Sequence, residues 1–228
     1  MTPWEPNQLF AYIEKEPKKW KKFIEAPDNP FVTAYARKPQ KLSELTNDNL
    51  IIFQGELDDK NIIAKVINDT DVVISFLGPT GKVNDTSLSN GMKNIIEAMR
   101  GANKNRIISI STGSVKDSCD RYDFSYNLFI KIIKLFFRKS YDEIIKISNI
   151  IRNSNFDWTL VRIGLLNNNA ISPIKTGYYG YGKIKTQVSR ASVAKFLLDQ
   201  VTSKEFVKKS PAISNWNICC QGTVVPGQ

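Results

Sequence analysis

The chain contains no histidine. Imidazole is the commonest general base and the commonest metal ligand, so its absence excludes a Ser-His-Asp hydrolase and removes both from any mechanism. Cysteine is scarce: Cys119 and the adjacent Cys219 and Cys220 give neither a disulfide framework nor the paired CxxC spacing of a zinc site, and no metal is expected. No stretch approaches the roughly 18 apolar residues of a membrane span. The N-terminus, with Trp4, Glu5 and Pro6, also lacks the basic start and apolar core of a signal peptide. A cytoplasmic protein with no membrane partner is the expectation. Glycine is missing from the first 30 residues, although 12 occur in the chain.

Acidic residues are in the minority. The net charge is +10, and from Arg152 to the end ten Lys or Arg stand against three Asp or Glu. That balance suits an anionic ligand, but no helix-turn-helix, zinc or RNA-binding motif accompanies it, and no nucleic-acid partner is expected. Hydrophobic residues at 42% and charged residues at 24% of 228 are ordinary globular composition. They point to one α/β domain over residues 1–228, with a divergent segment at 1–30 and a tail at 215–228.

The stretch Asp71 to Gly81, DVVISFLGPTG, organises the rest. Val72 to Phe76 run apolar without alternation and spill into Leu77, Gly78, Pro79, Thr80 and Gly81, as a strand buried on both faces would. Such strands form parallel sheets, whose ligands sit at the carboxyl ends of the strands. Further strands are expected at Phe31 to Ala36, Leu50 to Gln54, Arg106 to Ile110 and Trp158 to Ile163. Helices are expected around Ile62 to Ile67, capped by Asp58 or Asp59, and around Leu88 to Met99, capped by Ser87 or Ser89. Two more are expected at Tyr141 to Arg152 and at Val193 to Val201, after Ser189 and Ser192. Asn7 to Glu25 reads as helical, with a break at Pro17. Strand and helix alternate as in right-handed βαβ crossovers, which makes a doubly wound parallel sheet the expected fold.

Phe124 to Phe137, FSYNLFIKIIKLFF, breaks the rhythm. It is dense in large apolar side chains, with Lys131, Lys134 and Arg138 about a turn apart. Packing on the sheet, covering of a ligand site, or burial against a second copy of the chain in a homodimer is preferred over a membrane-surface helix.

The ordered set AYARKPQKL, IIFQGELDD, DVVISFLGP, LSNGMKNIIEAM, RIISISTGS and FDWTLVRIGLLNN resembles the atypical short-chain dehydrogenase/reductases. That NAD(P)H-binding group includes the NmrA-like proteins and the biliverdin/flavin reductases. The likeness runs over about residues 31 to 214 and implies a Rossmann-like sheet holding a dinucleotide. It implies that Arg37, assisted by Lys38, faces the 2′-phosphate of NADP, which is favoured over NAD. It places Glu56 and the Leu57 backbone near the adenine, and Ser75, Leu77, Gly78 and Pro79 along the cofactor.

The chain departs from that pattern twice. The family opens with a strand and a Gly-x-x-Gly-x-x-Gly loop, and no such loop is present. Asn7 to Lys15 resembles the helix after it, so the first strand reads as missing or replaced, with Gly222 to Val225 or a partner's strand as fillers. A truncated or alternatively spliced product is the simpler expectation. The superfamily's Tyr-x-x-x-Lys pair is also poorly met, because Tyr141 and Lys146 are five apart. Thr112 or Ser114 remain as catalytic hydroxyls for a carbonyl substrate. Arg162 is a candidate for a substrate anion, with a structural pairing to a carboxylate as the preferred alternative. The functional expectation is an NADPH-dependent oxidoreductase acting on an unidentified small molecule. A non-catalytic NADP sensor or interaction pseudoenzyme, or an inactive truncated product, is the alternative.

Overall fold

The computed structural model of the protein describes residues 8–12, 31–41, 50–79, 87–182, 184 and 186–215. The first half of the fold runs β1 (Gln8–Tyr12), β2 (Phe31–Ala36), β3 (Leu50–Gln54), α1 (Lys60–Asn68), β4 (Val72–Ser75), α2 (Ser87–Gly101) and β5 (Arg106–Thr112). Then come α3 (Phe124–Phe136), α4 (Arg138–Arg152), β6 (Asp157–Ile163), β7 (Leu165–Asn167), β8 (Ile174–Gly177), β9 (Gln187–Ser189), α5 (Arg190–Thr202) and β10 (Ala212–Asn215). One sheet has the order β3-β2-β1-β4-β5-β6-β10-β8, and β7 pairs with β9 beside it. All its pairings are parallel except β8 against β10. This is the doubly wound Rossmann-like sheet, with its topological switch between β1 and β4.

The first strand is present at Gln8–Tyr12, which corrects its reading as missing and, over those residues, the reading of Asn7 to Glu25 as helical. Leu9 stands in register with Val32 of β2 on one side and Val72 of β4 on the other, so β1 is central. The run QLFAY is short, and a short apolar run has no period that separates a helical turn from a buried strand. Pairing on both edges decides it. Residues 13–25 and 222–225 lie outside the described residues.

Why β4 does not alternate follows from its two faces. Val72 and Ile74 pack with Val32, Ala34, Ile108, Val161 and the α5 residues Val193 and Leu197, whereas Val73 packs with Tyr35, Ile107, Leu160 and side chains of α1, α2 and α4. The helices are fixed by local hydrogen bonds. Asp59 accepts from Ile62 N at 3.3 Å, and Ser189 from Ser192 N at 3.1 Å. Ser87 and Ser89, expected as caps, lie inside the first turn of α2 instead. The buried Glu143 carboxylate of α4 takes over, accepting from Ser89 N at 3.1 Å and meeting the positive helix end.

Tight packing reaches the strand ends. A Cβ on Gly55 would stand 2.0 Å from the hydroxyl of Tyr35, a fully buried side chain that donates to Glu56 O at 2.8 Å. Gly55→Ala therefore overpacks this corner and should cost about 1–3 kcal/mol, lowering Tm by about 2–12 °C. Gly101→Ala, where nothing lies within 4 Å of the added carbon, should melt with the parent. Equal melting of both variants would refute this account of Tyr35.

Of the placements expected for α3, packing on the sheet is not the one found. Only Ile130 of this helix is buried, so its apolar face does not pack on the sheet.

Candidate functional site

Because β1 to β6 are parallel, their carboxyl ends share one edge of the sheet. Arg37 follows β2 directly and is half-buried, with exposed Lys38 beside it. Gly55 N donates to Ala36 O at 3.3 Å, which holds the end of β3 against the end of β2 and brings exposed Glu56 and buried Leu57 to the same corner. The Leu57 carbonyl accepts from Asn94 of α2 at 2.8 Å. After β4, Ser75 is buried and its hydroxyl accepts from Leu77 N at 3.3 Å, shaping the turn, while the Leu77 side chain sits in the core. Gly78 and Pro79 are half-exposed, and a Cβ on Gly78 would meet nothing within 4 Å. The edge is thus open where β4 ends.

One polar atom at this edge lacks a partner. Arg37 Nε is buried and makes no hydrogen bond; among the described residues it shares that state only with Arg190 Nε and Gln200 Oε1. A buried unsatisfied donor costs about 1–3 kcal/mol. An anion arriving from outside the chain would remove that cost.

The next strand end carries the two candidate hydroxyls. Strand β5 runs two residues beyond its expected end, so Thr112 is its last residue, in register with Ile163. Thr112 Oγ1 accepts from Ser114 N at 3.3 Å, and Ser114 is buried. Gly113 between them lies under two aromatic rings that the sequence did not single out as a pair. The Tyr126 hydroxyl donates to Gly113 O, and the Tyr126 and Tyr179 rings stack with centroids 4.3 Å apart. Burial first, and Tyr179 next, push the Tyr126 phenol far above its ordinary value, so at neutral pH it is a hydrogen-bond donor and not a base. The available signal was the run of tyrosines in TGYYGYG, but its pairing with a residue about 50 positions earlier has no local trace.

Arg162 lies one residue from the carboxyl end of β6, but its side chain does not open onto that edge. It is fully buried in β6, where it donates to Asp120 Oδ2 at 2.6 Å, Asp120 Oδ1 at 2.8 Å, Ser210 O at 2.7 Å and Val115 O at 3.1 Å. The geometry supports the structural pairing over the substrate-anion role. Asp120 Oδ1 also accepts from Tyr179 N at 3.0 Å, so Arg162 holds Tyr179, which stacks on Tyr126, which grips Gly113. Next to it Asp117 accepts from Cys119 N at 2.9 Å and Ser210 N at 3.0 Å. Burial alone would raise its carboxyl, but these bonds and the Arg162 charge outweigh that and hold it below its ordinary value. Lys146 is bonded to buried Glu143 at 3.1 Å, and Tyr141 instead faces Lys134, 5.4 Å from its ring centroid. The Tyr and Lys pair does not form.

Residues 22–204 match the model of the NAD(P)H-binding family. The chain belongs to the NAD(P)H-binding family. No curated protein matches it in sequence. Solved structures share its fold at low identity. A short-chain dehydrogenase/reductase (wide type) from Veillonella parvula in complex with NADP is 16% identical, covering 93% of this chain and 96% of its own, with a TM-score of 0.75. ChuY, an anaerobilin reductase from Escherichia coli O157:H7, is 15% identical over 92% and 98%, at 0.71. The oxidoreductase ylbE from Lactococcus lactis is 16% identical over 92% and 91%, at 0.69. In this NAD(P)H-binding chain the orphaned Arg37 Nε and the open space at Gly78 fit such a cofactor. The connection between β1 and β2, which in a Rossmann fold carries the glycine-rich phosphate turn, contains no glycine.

Proposed function

We propose that the protein is an NADPH-dependent reductase of the short-chain dehydrogenase type, acting on a small carbonyl-like molecule. The observation that carries this reading is the buried, unpartnered Arg37 Nε at the end of β2, beside Lys38. Arg37 and Lys38 would hold the 2′-phosphate, Glu56 and Leu57 the adenine, and Gly78 and Pro79 the middle of the cofactor. When bound, the nicotinamide supplies hydride. The chain itself orients the reactants and supplies a donor: Thr112 Oγ1 stands at the end of β5 and can donate to a substrate oxygen. Tyr126 fixes Gly113 and, remaining protonated, takes no proton. Cys119, an exposed free thiol, suits the reducing cytoplasm.

Titration with NADPH, followed by nicotinamide fluorescence and melting, tests this. Cofactor at about 100 times its Kd should stabilise the chain by about 2.7 kcal/mol, a Tm rise of about 5–11 °C. Gly78→Leu, whose side chain enters the open space, should weaken NADPH at least about tenfold while leaving the free protein's Tm within about 2 °C. No binding at millimolar NADPH would refute the proposal. The absent Tyr and Lys pair supports a second reading, a non-catalytic NADP-binding protein. It predicts binding without NADPH consumption across quinones, ketones and aldehydes.

A further inference from the structure

The bare face of α3 is a feature that the cofactor site does not use. Phe124, Leu128, Ile132 and Leu135 follow one another at helical spacing, with Phe129 and Phe136 alongside, and all are exposed, Leu135 at 77% and Phe136 at 72%. Phe137 continues the patch at 54%. Cations border it: Lys131 and Lys134 lie along one margin of the helix, and Arg138 and Lys139 follow at its end, all exposed. From Phe124 to Tyr141 there is no Asp or Glu.

We infer that this face docks on an anionic lipid surface. The charge distribution selects that occupant. The patch and its border carry four cations, Lys131, Lys134, Arg138 and Lys139, and no carboxylate between Phe124 and Tyr141. Among the described residues only Arg138 of the four has an acidic neighbour, Asp142 at 3.9 Å, so a second copy laying the same patch on this one would add four more cations to the seam. An anionic leaflet answers Lys131, Lys134 and Lys139, and adds to the exposed Asp142 pair of Arg138, while the aromatic and aliphatic side chains enter the acyl boundary and the lysine stems reach up to the headgroups. No helix among the described residues is long and apolar enough to cross a membrane, so α3 lies on the surface. The same helix carries Tyr126, whose hydroxyl grips Gly113, so the docked face and the strand-end site share one element.

Vesicle co-sedimentation of the full chain tests the inference. Binding to phosphatidylcholine vesicles containing about 30% phosphatidylserine should exceed binding to pure phosphatidylcholine at least tenfold, and should collapse in about 0.5 M salt. Leu128→Glu with Phe136→Glu should abolish binding, and Lys131→Glu with Lys134→Glu should remove the preference for the acidic lipid. These are exposed positions, and unchanged melting would show that the fold is intact. Absence of binding at millimolar lipid would overturn the inference, as would a dimer in sedimentation velocity that Leu128→Glu dissociates. Cofactor titration of the same variants keeps the two questions apart, because NADPH binding is expected to be unaffected.

Discussion

Arg37→Ala should raise the Kd for NADPH by about 10–150-fold and that for NADH by less than about threefold. A hydrogen bond to a charged group contributes about 1.5–3 kcal/mol, and each 1.4 kcal/mol is a factor of ten. The difference between cofactors is the decisive quantity, because NADH lacks the 2′-phosphate. Lys38 stays next to the site, exposed and able to retain part of the attraction, so the smaller factor applies if it carries much of the charge. Arg37→Lys should restore only part of the loss, since an ammonium cannot present two parallel donors to a phosphate. The free protein gives an independent sign. Arg37 Nε is buried without a partner, so its removal deletes an unsatisfied donor, and the variant without cofactor should melt no lower than the parent. Equal weakening of both cofactors would reject the 2′-phosphate role. A fall in the free protein's Tm would show that the guanidinium has a structural partner instead.

How much of this could be read from the residues depended on whether a pattern was local. The strands β2 to β6 were legible because runs such as VVIS and IISIS are too apolar to lie anywhere but between two helical layers, and both faces of β4 are indeed covered. Caps at Asp59 and Ser189 were legible because capping acts over three residues. β1 was not, since QLFAY is as short as a helical turn and only pairing with Val32 and Val72, far along the chain, makes it a strand. β8 and β10 were missed for the same reason: four-residue segments gain their identity from each other. At the site, Arg37 was legible as the residue closing a strand. Tyr126 and Glu143 were not, because each acts on a distant partner, Gly113 for one and Ser89 for the other. The apolar α3 was read as something needing cover, and the structure leaves it bare.

Arg162→Met should lower stability by about 3–5 kcal/mol, a fall in Tm of about 6–20 °C, because it leaves Asp120 without its cation beneath the loop that carries Gly113. The size follows from burial. Arg162 is fully enclosed and Asp120 nearly so, and the screening that makes surface pairs weak is absent. Replacing both partners, as in Arg162→Met with Asp120→Leu, should recover a good part of the loss, since two apolar groups leave no charge unpaired. Recovery cannot be complete, because Asp120 also accepts from Tyr179 N and from Asp117 N. Acid supplies a second readout. Asp117 is depressed in the fold, so its contribution is fully present above the unfolded carboxylate value, about 3.9, and is lost as pH falls through the folded value. The Arg162 charge is one cause of that depression, and removing it brings the folded value back toward the unfolded one. The variant should therefore lose less stability than the parent between pH 7 and about pH 3.5, as measured by urea unfolding at both. Parallel acid losses would remove Asp117 from the Arg162 cluster, and an unchanged Tm would remove the cluster from the support of Tyr179 and Gly113.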